Sequence, residues 1–321
     1  MVARWLLRDA PALVLAAAVF ATWAEEPEQA LPKVSPGNVG EIVVEAPEPR
    51  YVAPTLRDRI GRIWAPVLIN DQGPFRLVLD TGATSSAVSA KVAATLGLPP
   101  EANSSVNLRG VTGTRVVPTI KVDSIVVGDL ELHSKRVPII YDALGGADGI
   151  LGTEGLQDKR LFIDFRHDKI RISRSHADPP QPGFLTVPVQ IVGGLLLVAD
   201  VKIGAVHAKA IIDTGGQGTL ANEAFRDALV RHLKSADIAA DEVTGATMDV
   251  QRGDRVITPP IELGGVTIRG AHFTAGDLYI FQHWKMTKEP AVLIGMDVLG
   301  RLDTLIIDYK RRELQVKLRD D

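Results

Sequence analysis

The stretch FRLVLDTGA at residues 75–83 decides the fold of this chain, because a second version of it, AKAIIDTGG, stands at residues 208–216. Each version is an apolar run typical of a buried strand, and Asp-Thr-Gly follows it at once. The glycine permits a tight turn directly after the threonine. A single Asp-Thr-Gly in a chain of this length has odds by chance of about one in ten. Two of them in matched frames indicate an internal repeat.

Three further pairs of segments continue the repeat in the same order along the chain. They are residues 111–114 with 243–246, residues 148–152 with 291–295, and residues 162–165 with 306–309. The offset between copies is 133 residues for Asp-Thr-Gly and 132, 143 and 144 residues for these three pairs. The second copy therefore holds an insertion of about ten residues. We place it near Thr274–Pro290, which contains Tyr279, Phe281, His283 and Trp284.

The local patterns around these anchors predict strands joined by tight turns, with two short helices. Hairpins are expected where a turn signal separates two apolar runs, at Val67–Asn70 with Phe75–Leu79 and at Leu195–Ile203 with Ala208–Ile212. Helices are expected over Ala87–Leu96 and over Ala221–Leu233, with Asn222 as a candidate N-cap. Prolines in residues 175–183 mark a linker between a first lobe at 58–174 and a second at 184–321.

The two repeated aspartates suggest a specific chemistry. Copies related by an approximate two-fold axis would bring Asp80 and Asp213 face to face. Two carboxyl groups so close cannot both ionise easily, so they share one proton. One can then act as general base on a water molecule while the other polarises a carbonyl group. The alternative is a pair of ordinary turn residues, because Asp-Thr-Gly is also good turn chemistry.

Other repeated or reactive residues receive structural interpretations. Asp164 and Asp308 repeat, but each stands near a charged hairpin turn, so we expect a structural role, and Asp148 reads as a turn residue. The segment Phe281–Lys285 either rims a cleft or caps its lobe. No two of the seven histidines have the spacing of metal ligands, and no Gly-x-Ser-x-Gly motif is present. We therefore expect no metal and no cofactor.

Composition narrows the classes of function further. The chain has 321 residues, 36 Lys plus Arg and 39 Asp plus Glu, for a net charge of −3. This length suits two domains or one large one. Because no basic block is present, nucleic acid is not an expected partner. The absence of cysteine excludes disulfides, thiol catalysis and Cys-ligated metals.

The first 57 residues are expected to lie outside the folded lobes. Residues 1–24 read as an export signal, with Arg4 and Arg8 before the uncharged run Ala10–Ala24. Residues 25–57 are rich in Pro and Glu and read as a linker or pro-segment. The sequence thus predicts a periplasmic or secreted protein. It would be membrane-anchored only if the signal is not cleaved.

Taken together, these motifs resemble the retropepsin-like group of aspartic peptidases, with two lobes fused in one chain. The resemblance covers roughly residues 60–318 and implies an all-β, bilobal fold of two homologous β-barrel-like lobes with short helices and an interlobe cleft. Asp80 and Asp213 would be the catalytic pair, and the active-site loops would be supported by Thr81, Gly82, Thr214 and Gly215. The resemblance also implies cross-lobe hydrogen bonds between the two threonines. Substrate-covering flaps would contain Val111, Thr112, Gly113, Val243, Thr244 and Gly245.

The sequence departs from the pepsin-like pattern at three points. Ala83 and Gly216 stand where pepsin-like enzymes have Ser or Thr, and neither flap segment contains Tyr or Trp. Without those hydroxyl donors the ionised pair is less stabilised, so we expect raised pKa values for the pair and activity nearer neutral pH.

The resemblance implies an exported, bacterial-type aspartic endopeptidase that acts on polypeptides, and we expect a monomer. A non-catalytic peptide-binding module that keeps the cleft is the alternative.

Overall fold

The computed structural model describes residues 44–45, 63–141, 145–167, 169–176, 179–232 and 238–319. The predicted export signal therefore lies outside the described residues, as does the predicted linker or pro-segment apart from Val44–Glu45, which form a short strand. None of the helices among the described residues is long and apolar enough to cross a membrane.

The described part of the chain is built mainly from strands. Up to residue 174 the elements are β1 (Val44–Glu45), β2 (Trp64–Ile69), β3 (Gln72–Leu79), β4 (Ala87–Ser89), α1 (Ala90–Thr95), β5 (Ser105–Arg109), β6 (Thr114–Val127), β7 (Leu130–Ile140), β8 (Gly149–Leu151), β9 (Lys159–Asp164) and β10 (Lys169–Arg174). From residue 185 they are β11 (Leu185–Pro188), β12 (Gln190–Val192), β13 (Leu196–Ile203), β14 (Val206–Ile212), β15 (Thr219–Ala221), α2 (Glu223–His232), β16 (Ile238–Thr244), β17 (Val250–Ile257), β18 (Ile261–Leu263), β19 (Val266–Ile268), β20 (His272–Ala275), α3 (Tyr279–His283), β21 (Ala291–Ile294), α4 (Met296–Leu299), β22 (Leu302–Asp308) and β23 (Glu313–Leu318).

The first lobe is a closed barrel of six strands. Its strands pair in the order β2-β3-β8-β4-β7-β6, and β6 returns to β2. The strands alternate buried and less buried residues, as in β2, so one face fills the barrel. β5 pairs with the first half of β6 and forms a hairpin that extends the sheet.

The second lobe repeats this order with interruptions. β13, β14, β21, β15, β20 and β17 pair in succession, and β18 returns to β13. The strand that is continuous as β6 in the first lobe is divided here into β17 and β18 by Thr258–Pro260. Because Pro259 and Pro260 have no backbone N–H, they cannot continue a ladder.

A third sheet joins the lobes and was not predicted from the sequence. Its order is β1-β10-β9-β22-β23-β11. The central pair, β9 and β22, places Phe162 opposite Ile306 and Leu161 opposite Ile307. All seven residues of β22 are buried, and one large apolar core continues through both lobes and this sheet.

The structure confirms the all-β, bilobal architecture and corrects one helix. Ala87–Ser89 form strand β4 instead of the start of a helix, because Val88 is fully buried and pairs with β7 and β8. Helix α2 begins after Asn222, whose side-chain oxygen accepts a hydrogen bond from the backbone N–H of Phe225 at 2.8 Å. The N-cap prediction is therefore confirmed. The segment between β20 and β21, predicted to hold the insertion, contains α3.

Candidate active site

The two repeated aspartates stand in loops of the same construction. Asp80 follows β3 and Asp213 follows β14, and the backbone N–H of each donates to a carbonyl of the neighbouring parallel strand at 3.0 Å. Oδ1 of Asp80 accepts from the N–H groups of Gly82 and Ala83, both at 2.9 Å. Oδ1 of Asp213 accepts from Gly215 at 2.9 Å and Gly216 at 3.1 Å. Each carboxyl group is thus fixed by its own turn.

Thr81 and Thr214 connect the two loops, as the family resemblance implies. The Thr81 hydroxyl donates to the carbonyl of Ile212, and the Thr214 hydroxyl donates to the carbonyl of Leu79, each at 2.7 Å. Each hydroxyl also accepts from the other threonine's backbone N–H, at 3.1 and 3.2 Å. All four hydrogen bonds are buried, so neither loop is held by its own lobe alone.

Gly82 and Gly215 allow the carboxyl groups to approach from opposite lobes. A Cβ atom on Gly82 would lie 2.8 Å from Cγ of Asp213, and one on Gly215 would overlap the carboxyl group of Asp80. Such contacts are closer than real Cβ atoms make. Glycine is therefore required at both positions by the neighbouring carboxyl group.

The two carboxyl groups interact with one another, and the pKa values of both are raised. Burial, followed by repulsion from Asp213, raises the pKa of Asp80 well above its ordinary value. Burial also raises the pKa of Asp213, although N–H donors from Gly215 and Gly216 oppose that shift. A buried pair of this kind retains one proton between its members. The two acids therefore titrate as a pair that shares this proton.

A second layer supports these loops, and sequence reasoning missed it. The N–H of Gly152 donates to the Ser86 hydroxyl and that of Gly295 to the Thr219 hydroxyl, both at 3.1 Å. Ser86 and Thr219 are in turn bound by acids: the Ser86 N–H donates to Glu154 and the Thr219 hydroxyl donates to Asp297, both at 2.7 Å. Burial raises the pKa of Asp297. The sequence signal that could have revealed these supporting acids is the Gly-x-acid pattern, which is repeated at residues 152–154 and 295–297.

Two hairpins carry the predicted flap residues and meet at their tips. Flap 1 is β5–β6 with tip 110–113, and flap 2 is β16–β17 with tip 245–249. The Thr112 hydroxyl accepts from the Gly245 N–H at 3.2 Å and lies 3.4 Å from the Thr247 hydroxyl. The Arg115 guanidinium pairs with Asp249 at 3.4 Å. The two flaps are therefore in direct contact.

The structure places the predicted flap residues in a different register between copies. Val111, Thr112 and Gly113 belong to the tip of flap 1, whereas Val243 and Thr244 end strand β16 and only Gly245 belongs to the tip of flap 2. Thr112 faces Thr247, 135 residues away, although the sequence match has an offset of 132. The second copy has two more residues than the first between its aspartate and its flap tip, 31 against 29, and this displaces the match before the tip is reached.

The segment 276–290, which we call the α3 insert, contacts both flaps. The N–H of Ile280 donates to the carbonyl of Val111 in flap 1 at 3.1 Å. The N–H of Tyr279 donates to the side-chain oxygen of Gln251 in flap 2 at 3.0 Å. Phe281 is buried in an apolar cluster with Leu293. Phe281 thus packs inside the lobe, as the cap alternative predicts, and the flap contacts of this helix are made by Tyr279 and Ile280, which precede the predicted segment.

The other repeated aspartates organise turns. Oδ1 of Asp164 accepts from the N–H groups of Arg166 and His167, each at 3.0 Å. Asp308 is fully buried and accepts from the Ser175 hydroxyl and from the N–H of Arg311. Neither joins the pair formed by Asp80 and Asp213. Among the described residues, no group of three or more His, Cys, Asp or Glu side chains is arranged to hold a metal ion.

Comparison with known proteins agrees with this geometry. A family model described as aspartyl protease matches residues 65–154 and residues 199–298, one match in each lobe. The two matches together cover more than half of the chain, so the chain belongs to the aspartyl protease family. The predicted resemblance and the internal duplication are thereby confirmed. No curated protein matches the chain.

Proposed function

We propose that this chain is an aspartic endopeptidase in which Asp80 and Asp213 activate a water molecule. The observation that carries the proposal is the close approach of two carboxyl groups with raised pKa values, each held by an equivalent loop of its own lobe and lying against the glycine of the opposite loop. A binding module would have no use for two buried acids that repel one another, because their ionisation costs stability.

The geometry supports a division of labour between the two acids. Asp213, the ionised partner, takes a proton from water, and the water oxygen attacks the carbonyl carbon of a peptide bond. Asp80, the protonated partner, donates its proton to the carbonyl oxygen, which gives a neutral tetrahedral diol. A proton from Asp213 then passes to the amide nitrogen as the carbon–nitrogen bond breaks, and Asp80 takes a proton from one diol hydroxyl, whose oxygen becomes the carbonyl oxygen of the product acid. The N–H donors of Gly215 and Gly216 hold the Asp213 carboxylate in place during these steps.

Three asparagine variants test this proposal. Asp80→Asn and Asp213→Asn should each lower kcat/KM on a casein or mixed-peptide substrate by about 10²–10⁴-fold. Asp123→Asn makes the same chemical change at an exposed position, and it should behave like the unmodified protein. A statine-type peptide should inhibit the protein and the control equally. Undiminished cleavage in either pair variant would refute the shared-proton mechanism, and binding without cleavage in the unmodified protein would favour the peptide-binding alternative.

We also propose that the protein is exported. The support is the sequence of residues 1–24, in which Arg4 and Arg8 precede an uncharged apolar run. Expression in a bacterium, followed by fractionation and N-terminal sequencing, tests this directly. We expect mature protein outside the cytoplasm with its first residue near position 25. A full-length chain that remains in the cytoplasm would contradict the proposal.

A further inference from the structure

Two small apolar clusters, separate from the main core, lie beside the active-site loops, one in each lobe. We call them the lobe-1 wall (Ala83, Ala87, Leu108, Ile140 and Ile150) and the lobe-2 wall (Leu196, Val198, Ile211, Leu220, Val243, Ala291 and Leu293). Both walls contain a residue of the strand beside the aspartate loop and a residue of the flap strand. Ile150 and Leu293 hold equivalent places, and so do Leu108 and Val243.

The walls differ in how much space they leave. Ala87 in the lobe-1 wall corresponds to Leu220 in the lobe-2 wall, each seven residues after its aspartate. The lobe-2 wall is further covered by Leu278, Ile280 and Phe281 of the α3 insert, all of them buried. Leu108 and its equivalent Val243 are both partly exposed, but among the described residues the lobe-1 cluster contains no side chain of a covering insert. The lobe-2 side is therefore filled by the chain's own side chains.

Hydrogen bonds at three sites hold the α3 insert against the lobe-2 wall. The N–H groups of Tyr279 and Ile280 bind flap 2 and flap 1 respectively. At the far end of the insert, the Asn222 amide donates to the carbonyls of Met286 and Glu289 at 2.6 and 2.8 Å. Val111 of flap 1 and Val243 of flap 2 also pack against the same apolar cluster. Movement of α3 away from the lobe-2 wall would break all of these contacts.

We propose that the cleft is one-sided: it accepts a large apolar substrate side chain against the lobe-1 wall and only a small one against the lobe-2 wall. This inference rests on the proposed function of the same site. The physical reason is volume, because a methylene group added to or removed from a filled apolar pocket changes specificity by about 10–200-fold. Leu220 exceeds Ala87 by three carbon atoms, and Ile280 and Phe281 add more.

Reciprocal substitutions provide the test. The unmodified protein is incubated with a peptide library, and mass spectrometry of both product termini gives the preference on each side of the cleaved bond. We expect Leu, Phe or Met on one side and Gly, Ala or Ser on the other. Ala87→Leu should lower kcat/KM for the large residue by about tenfold or more. Leu220→Ala and Ile280→Ala should instead relax the requirement for a small residue on the opposite side.

Two controls keep the outcome clear. Ala90→Leu makes the same change at an exposed position of α1 and should leave both preferences unaltered. Peptides with a reduced, uncleavable bond are also measured for binding, with Leu placed on one side or on the other. If no peptide is cleaved, the proposed function fails, and this binding measurement still decides whether the cleft is one-sided. Equal acceptance of large residues on both sides, or an unchanged profile in Ala87→Leu, would overturn the inference.

Discussion

The two lobes are nearly identical around their aspartates and differ within a few residues of them. Each lobe has a carboxyl group bound by two backbone N–H groups, a threonine bound to the opposite lobe and a glycine beside the opposite carboxyl group. Behind these loops the supporting pairs already differ, Ser86 with Glu154 and Thr219 with Asp297. At the walls the lobes differ most, because Leu220 replaces Ala87 and only the second wall is covered by α3.

The difference shows which positions in a duplicated chain can change independently. The Thr81 hydroxyl binds the strand that carries Asp213, and the Thr214 hydroxyl binds the strand that carries Asp80. A change in one copy therefore disturbs the other. Ala87 packs in a cluster of its own lobe, and the cluster of Leu220 is joined from the first lobe by Val111 of flap 1. Residues whose hydrogen bonds reach the opposite lobe are therefore the same in both copies, whereas residues of the two walls can differ between copies.

The largest expected effect comes from the glycines that face the opposite carboxyl groups. Gly82→Ala and Gly215→Ala should each lower kcat/KM by about 10²–10⁴-fold, the range for loss of a general acid or base, since the new methyl group would displace a carboxyl group. Gly215→Ala should be the more severe, because its Cβ would come closer. Gly218→Ala is the matched control, since its Cβ would meet no atom within 4 Å. Retained activity in both variants would show that the carboxyl groups have room to move apart.

The next effect tests whether the lobes depend equally on each other. Thr81→Val and Thr214→Val keep the side-chain shape but leave a buried carbonyl and a buried N–H unpaired in the opposite lobe. Each should lower the free energy of unfolding by about 2–4 kcal/mol, measured by urea denaturation. Thr95→Val, at a mostly exposed hydroxyl of α1, serves as control. A large loss in one variant with none in the other would contradict mutual support.

The sequence was sufficient to predict those features that depend on short motifs present in both copies. The paired Asp-Thr-Gly segments gave the bilobal fold and the candidate pair Asp80 and Asp213, because a duplicated motif after an apolar strand constrains both topology and position. The sheet that joins the lobes was not predicted, since pairing of Phe162 with Ile306 depends on a register between distant strands. No local pattern carries that register.

The errors have similar physical causes. Ala87–Ser89 belong to an alanine-containing run that favours a helix, but burial between two strands overrides that preference. The flap match was displaced because the second copy has two more residues between its aspartate and its flap tip. Glu154 and Asp297 escaped notice because Gly-x-acid reads as an ordinary turn. Their hydrogen bonds to Ser86 and Thr219 become visible only in three dimensions.

The pH dependence of stability tests the raised pKa of Asp80. The pKa of Asp80 in the folded chain is raised, so above about pH 4 the unfolded chain releases protons while the folded pair keeps one. Folding stability contributed by that proton is present at low pH and is lost as pH rises, by at most about 1.4 kcal/mol per pH unit, until the folded pair also ionises. Asp80→Asn should therefore melt at increasingly higher temperature than the unmodified protein over this interval.

Activity should follow the same titration. Cleavage requires one protonated and one ionised carboxyl group, so the pH–rate profile should be bell-shaped and extend above the ordinary carboxyl range. Asp123→Asn should show no pH-dependent difference in melting temperature. A profile that peaks only below about pH 4, or a parallel melting curve for Asp80→Asn at every pH, would contradict the raised pKa of Asp80.

The smallest expected effect concerns the ion pair between the flaps. Arg115 and Asp249 join flap 1 to flap 2 at 3.4 Å, but their side chains are 37% and 43% exposed, so solvent screens the pair. Arg115 also lies 5.3 Å from the ring of Tyr141 in its own lobe. A double-mutant cycle of Arg115→Ala and Asp249→Ala should therefore give a coupling below about 1 kcal/mol in unfolding free energy.

In the α3 insert, by contrast, the contacts with both flaps are made by backbone N–H groups and buried apolar side chains. Ile280→Ala should consequently alter KM more than either charge variant does. A coupling of several kcal/mol, or a larger change in KM from Asp249→Ala, would show that the flaps are held to each other instead of to the second lobe.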